Sequence, residues 1–263
     1  MADSDWSSYK QLRGQELPEQ IPFRGCTYQR VTHFKRDFYA ATGLYELHSN
    51  PTGAAVPDKI VLKIYHQAPW CKIPLGWLGR MLANRELYYQ TKVLGIPNVV
   101  QVLERFGETG FIREYIPGCH LREYRKTGNL PTKEFYLRLE QALTAIHAQG
   151  FSHNDLSKAE NILVDQQGMP VIIDFQIAHC FSSRLRPLHH LLRKVLGYMQ
   201  SVDCYHLRKH RMKDRPQDFT NEELTAKNQK GFLLRLHANL IRKPYRAVRH
   251  AVVLPLIKNK ARV

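Results

Sequence analysis

The chain has few features of a secreted, membrane-spanning or fibrous protein. Its five cysteines, Cys26, Cys71, Cys119, Cys180 and Cys204, are odd in number, scattered, and form no C-x-x-C. Neither a disulfide framework nor a zinc site is indicated, and a reducing cytosol fits best. No stretch approaches the 18 or so consecutive apolar residues of a spanning helix, and the start, Met1-Ala-Asp-Ser-Asp-Trp6, has no apolar core of a signal peptide. Internal repeats and low-complexity tracts are lacking, and no G-x-G-x-x-G stands near the N-terminus. Acidic residues are scarce in one region only. Residues 1–181 carry 20 basic and 18 acidic side chains, whereas residues 182–263 carry 19 and 5. Nearly all of the net charge of +16 therefore sits in the last third. Such an excess attracts phosphate-bearing partners, without choosing among nucleotide, nucleic acid and anionic membrane.

What is present is a folded chain of two kinds of segment. At 263 residues, 43% hydrophobic and 24% charged, it is long enough for a medium domain or two small lobes with a real core. Thr27–Thr32, Tyr39–Leu47 and Lys59–Tyr65 read as strands of a small antiparallel sheet. Leu78, Leu82, Tyr89 and Val93 then fall on one helical face together with Glu86. Val99–Phe106 and Gly110–Ile116 are strand-like, and Pro117-Gly118 marks a lobe boundary. Residues 132–149 form the clearest helix: Thr132 as N-cap, a stripe of Phe135, Leu139, Ala142, Leu143 and Ile146, and Gly150 as stop. Two short buried strands, Asn161–Val164 and Val171–Phe175, follow around the turn Asp165–Gly168. From Ser182 the chain is helical in propensity and basic.

The chemistry is concentrated in Phe151–Val164 and Val171–Gln176. Asp155, Asn161 and Asp174 stand at the edges of very apolar strands, a placement tolerated only when such groups are paired, hydrogen-bonded or bound to metal. Oxygen ligands of this kind suit Mg²⁺, which one or two carboxylates hold together with substrate phosphates. Upstream, Lys63 lies on a strand whose Ile60, Leu62 and Ile64 face the other way. Glu86 on an apolar helix face is costly unless a cation meets it, and Lys63 is the candidate.

With these residues in place the sequence resembles the protein-kinase-like superfamily. His153-Asn154-Asp155 is similar to the catalytic H-R-D, Asn161 to the Asn that follows it, Asp174-Phe175-Gln176 to D-F-G, and Lys63 to the lysine of V-A-I-K. The H-x-D-L-S motif and the missing D-F-G glycine are closest in style to RIO-type atypical kinases and to small bacterial lipopolysaccharide core (heptose/Kdo) kinases. The resemblance spans about residues 27–215. It implies an α+β, two-lobed kinase-like fold: an N-terminal extension (1–26), an antiparallel β-rich N-lobe (27–114), and a helical C-lobe with a basic C-terminal region (115–263).

It further implies that ATP and Mg²⁺ bind between the lobes. Asp155 would be the catalytic base, with Lys158 a γ-phosphate contact. Asn161 and Asp174 would be metal ligands, Lys63 the phosphate grip and Glu86 its anchor. In place of a glycine-rich loop, the expected phosphate-covering turn is Phe34–Phe38, where Lys35 and Arg36 supply charge. The spacing from Asp155 to Asn161 is one residue longer than in the motif. No A-P-E follows Asp174, so control by loop phosphorylation is not expected.

The favoured acceptor is a lipopolysaccharide-type glycan or glycolipid at the inner face of the membrane, with a cytoplasmic, peripheral location. The alternatives are a RIO-like protein serine/threonine kinase, and a nucleotide-binding pseudokinase that uses its basic face to hold an anion. Three basic features of the last third stay secondary. His206 and His210, four residues apart, lack a carboxylate shell and are assigned no metal. Tyr205–Lys213 reads as a solvated basic face. Phe232–Arg249 has the make-up of a helix lying on an anionic membrane surface or of a core-packed last helix, and base-stacking aromatics for nucleic acid are sparse.

Overall fold

The computed structural model describes residues 17–36, 39–51, 53–66, 76–180 and 189–226. Six strands form the first sheet: β1 (Gln20–Phe23), β2 (Cys26–Arg36), β3 (Ala40–Ser49), β4 (Lys59–Tyr65), β5 (Val102–Phe106) and β6 (Gly110–Glu114). Their spatial order is β1-β2-β3-β4-β6-β5, antiparallel throughout, with β4 in the middle. Both faces of β4 are covered. Ile60, Leu62 and Ile64 join Ile21, Phe23, Tyr28, Tyr45 and Ile112 in one core, while Val61, Lys63 and Tyr65 face the other way. The sheet reaches further toward the N-terminus than the sequence suggests. β1 pairs with β2 inside the segment assigned to an extension, because Ile21 and Phe23 alternate into the core.

Against the second face packs α1 (Gly76–Lys92), whose buried residues are Gly79, Ala83, Glu86, Tyr89 and Gln90. The helix is rotated from the expected stripe: Leu78 and Leu82 are only half-buried. Small residues face the sheet instead, since a Cβ built at Gly79 would collide with the carbonyl oxygen of His66. That close approach brings Glu86 over β4.

The rest is mainly helical. β7 (Gly118–His120), β8 (Ile162–Asp165) and β9 (Pro170–Ile172) make a small sheet beside α2 (Leu121–Lys126), α3 (Lys133–Ala148), α4 (His189–Asp214) and α5 (Asn221–Ala226). Helix α3 follows its reading closely. Thr132 caps it by accepting from the amide of Phe135 at 3.1 Å, the expected stripe is buried, and Gly150 leaves it at φ +80°. Phe135, Leu139 and Ile146 pack with Phe151, Ile162, Ile172 and Phe175 into the second core. No described helix is long and apolar enough to cross a membrane. The tract Phe232–Arg249 lies outside the described residues.

The tract 205–213 is not simply a solvated face. Along α4, Asp203, Leu207 and Asp214 are buried and His210 is partly so, at spacings of four, three and four residues that form one helical stripe turned inward. Arg208, Lys209 and Lys213 occupy the exposed side.

Replacing Gly79 by Val should push α1 off β4 and cost about 1–3 kcal/mol, the usual penalty of overpacking. Denaturant unfolding checks the loss, and Gly95→Val is the control, since a Cβ at Gly95 meets nothing within 4 Å although its own positive φ strains any side chain.

Candidate active site

Lys63 is one of the points where the two lobes meet. Its ammonium donates to both carboxylate oxygens of Glu86, at 2.8 and 3.0 Å, and to Oδ1 of Asp174 at 3.1 Å. Strand β4 positions the lysine, α1 the glutamate and the turn after β9 the aspartate. Glu86 is 1% exposed, and its oxygens also accept from Tyr65 Oη and from Gln90 Nε2. Burial alone would discharge Lys63, but Asp174 and Glu86 outweigh that and hold its pKa above the ordinary lysine value. The two charges that looked misplaced in the sequence are partners.

The second cluster lies on the segment leading to β8. Asp155, 8% exposed, accepts from Lys158 Nζ at 2.6 Å and from Asn161 Nδ2 at 2.8 Å, both on Oδ2. Asn161 Nδ2 also donates to the Asp155 carbonyl at 3.0 Å. The amide nitrogen of Asn161 is thereby committed to Asp155, which leaves its Oδ1 as an oxygen ligand. The amide of Ile173 donates to the Asn161 carbonyl at 3.0 Å, placing Asp174 one residue beyond that contact. A carboxylate oxygen and an amide oxygen are donors that suit Mg²⁺. Asp174 adopts φ +67° and Asn154 φ +64°, left-handed conformations that cost a non-glycine residue of order 1–3 kcal/mol and cluster at functional sites.

Several positions hold this constellation in ways that were not read from the sequence. Asp203, fully buried on α4, accepts the amides of His153 and Asn154, each at 2.8 Å, and contacts His147 Nε2 at 3.1 Å. His153 is also fully buried. Its Nε2 donates to the Ile173 carbonyl at 3.1 Å while Nδ1 accepts the Asp155 amide at 3.3 Å, so one neutral tautomer ties the Asp155 segment to the Asp174 segment. His210 donates from Nε2 to the Leu156 carbonyl at 2.9 Å and accepts from Arg125 Nη2 at 3.2 Å on Nδ1. Arg125 in turn donates to Asp214 at 2.7 Å, which Tyr136 Oη also reaches. The available signal was the isolated acid: Asp203 and Asp214 are rare carboxylates in a strongly basic stretch.

Lys63, Glu86, Asp155, Lys158, Asn161 and Asp174 thus form two clusters tied together through the Ile173–Asn161 contact. Lys35 and Arg36 are placed differently from the expectation. Both belong to β2, paired with Thr42 and Ala41, so no turn begins at Phe34, and their side chains lie outside what is described.

Residues 77–199 match the family model described as the protein kinase domain, a span that takes in Glu86, Asp155, Lys158, Asn161 and Asp174 and leaves out Lys63. Similar proteins include sperm motility kinase 3A of Mus musculus, 34% identical over 103 residues, covering 38% of this chain and 20% of that protein. CBL-interacting protein kinase 12 of Oryza sativa subsp. japonica is 34% identical over 103 residues, 37% of this chain and 19% of its own length. Serine/threonine-protein kinase D of Synechocystis is 31% identical over 80 residues, 30% and 16% of the two chains. The chain spans about a fifth or less of the length of these relatives. These relatives are named as kinases, and protein kinases use ATP with Mg²⁺. It does not single out the RIO or lipopolysaccharide-core branch.

Burial and the neighbouring Arg125 push the pKa of His210 down to about 4 from 6.5. Between those values the unfolded chain binds a proton that the folded one refuses, so stability should fall as pH drops from 6.5 toward 4, by up to about 3 kcal/mol. His210→Gln, which keeps a donor but does not titrate, should lack that contribution. Urea unfolding of both proteins across this range would refute the assignment if the two pH profiles run parallel.

Proposed function

We propose that the chain, whose residues 77–199 match the protein kinase domain and whose polar constellation fits the protein-kinase-like superfamily, transfers the γ-phosphate of ATP to a hydroxyl group. The observation that carries this reading is the single ammonium of Lys63 held by Glu86 and Asp174 from opposite sides of the cleft. A cation so placed is oriented to meet phosphate, and Asp174 beside Asn161 forms an oxygen pair for Mg²⁺. The metal, when bound, supplies charge neutralisation for the triphosphate.

The chain's own residues have separate tasks. Lys63 holds phosphate oxygens, and Glu86, with Tyr65 and Gln90 behind it, fixes where that ammonium sits. Asp155 has Oδ2 occupied by Lys158 and Asn161, which leaves Oδ1 to orient the acceptor hydroxyl and take its proton. Lys158, whose side chain is 60% exposed, is free to swing from Asp155 to the transferred phosphoryl group. His153, Asp203 and His210 keep the Asp155 segment in place from behind.

A protein serine or threonine is the acceptor best supported, because the similar proteins include kinases named for that specificity. A second reading, an anionic glycan or glycolipid, draws on the exposed Arg193, Lys194, Lys209 and Lys213 of α4. Nothing in the comparisons favours a lipopolysaccharide acceptor.

Asp155→Ala should lower single-turnover transfer from γ-labelled ATP by about a hundred- to ten-thousandfold while Mg·ATP affinity stays within a few-fold. Asp174→Ala should instead abolish the Mg²⁺ dependence of nucleotide binding, measured by calorimetry. Full transfer by the Asp155 variant would sink the proposed role. Labelling of protein, glycolipid and RNA fractions side by side identifies the acceptor, and ATP binding without transfer to any of them would favour a pseudokinase.

A further inference from the structure

A second cation shares the cleft with Lys63. On β6, Arg113 is the Cα partner of Val61, and Phe111 is the partner of Lys63. Cross-strand partners project to the same face and alternate residues share it, so Arg113 lies on the face that carries Lys63, about 7 Å along the strand. The electrostatics agree with this placement. Burial weighs most against its charge and lowers its pKa, Glu86, Asp174, Glu114 and Tyr65 favour the charge, and Lys63 feels Arg113 as a repelling neighbour.

The acids near Arg113 are already engaged. Glu86 accepts from Lys63, Tyr65 and Gln90, and Oδ1 of Asp174 from Lys63 and, at 3.4 Å, from the Gln176 amide. Glu114 accepts the amide of Gln101 at 2.8 Å. Arg113 is partly exposed, yet its Nε is buried with no hydrogen-bond partner among the described residues. A guanidinium keeps its charge at any ordinary pH, and a buried N–H without an acceptor is costly. The cost is relieved when a ligand brings the acceptor, and the planar guanidinium fork matches phosphate oxygens.

We propose that Arg113 is a second polyphosphate-binding cation, donating to a phosphate oxygen of the bound nucleotide alongside Lys63. The inference rests on the nucleotide-binding reading above and extends it. It accounts for how a cleft without a glycine-rich turn holds a triphosphate: side-chain charge on the central strands does what backbone amides do elsewhere. Within the cluster, Lys63 and Arg113 balance Glu86 and Asp174. Once Asp174 is drawn to a divalent cation, positive charge is left facing the phosphates.

Calorimetric titration of Mg·ATP and of adenosine into the unaltered protein and into Arg113→Met, Arg113→Gln and Arg113→Lys tests this. Arg113→Met and Arg113→Gln should each weaken Mg·ATP tenfold or more with adenosine within twofold, and Arg113→Lys should recover part of the loss. Retained adenosine binding shows that a variant has folded, and should the methionine variant fail to fold, the glutamine variant carries the test. Unchanged ATP affinity, or equal weakening of ATP and adenosine in a variant that unfolds in urea like the unaltered protein, overturns the assignment. Absence of Mg·ATP binding by the unaltered protein would remove the nucleotide reading itself and this inference with it.

Discussion

One ammonium group claimed by two carboxylates is the constraint around which the molecule is arranged. Lys63 and Glu86 are almost wholly buried, and removing one member of such a pair leaves an uncompensated charge that costs about 3–5 kcal/mol. The pair therefore does not tolerate a loose α1. The helix must approach β4 closely enough for a glutamate to reach, which is why Gly79 and Ala83, rather than leucines, face the sheet. Asp174 makes the third contact from the other lobe, so the same ammonium that ties helix to sheet also registers one lobe against the other. Arg85 adds to that registration by donating to the Ala178 carbonyl at 2.8 Å, four residues beyond Asp174.

The second constraint acts from beneath. Helix α4 turns a single stripe, Asp203, Leu207, His210 and Asp214, toward the Asp155 segment. Its polar members are matched in kind to the backbone they meet. Asp203 offers oxygens to two amides, and His210 offers a hydrogen to a carbonyl. Together they satisfy three buried or partly buried backbone groups in a loop that has no regular partner strand, a service that secondary structure would otherwise perform. The strained φ of Asn154 persists because its amide and its side chain are both bonded, the side chain to the Ile177 carbonyl at 3.2 Å.

Legibility in the sequence tracked how local the physical cause was. The strands around Lys63 and the helix 133–148 were readable because alternation, a Thr cap and a Gly stop are written within a few residues. Lys63 and Glu86 were readable together because each is anomalous on its own element and only the other explains it. Asp203 and His210 were not, since their partners are backbone groups some 50 residues away, and backbone groups leave no mark in composition. The charge count was misleading for the same reason. It reported α4 as a basic face when the inward stripe is acidic and neutral, and the cations line the other side. Arg113 escaped notice because an arginine between isoleucine and glutamate on a strand looks like an edge residue. Only the register with Val61 places it in the cleft.

The extra residue between Asp155 and Asn161 is absorbed by turns. The Lys158 amide donates to the Asp155 carbonyl at 3.2 Å and the Asn161 amide to the Lys158 carbonyl at 3.1 Å, two successive three-residue steps that end in the 3-10 turn Ala159–Asn161. Six residues wound at this pitch bring the chain back beneath its starting point. Asn161 thus reaches both the carbonyl and the carboxylate of Asp155 despite the longer spacing. The same winding explains Lys158. At three residues from Asp155 in a tight turn its side chain lies above the carboxylate rather than away from it, and the 2.6 Å contact follows. A spacing that departs from the motif in sequence is thereby restored in space, because what the chemistry requires is the distance between an aspartate and an asparagine and not the number of residues that separates them.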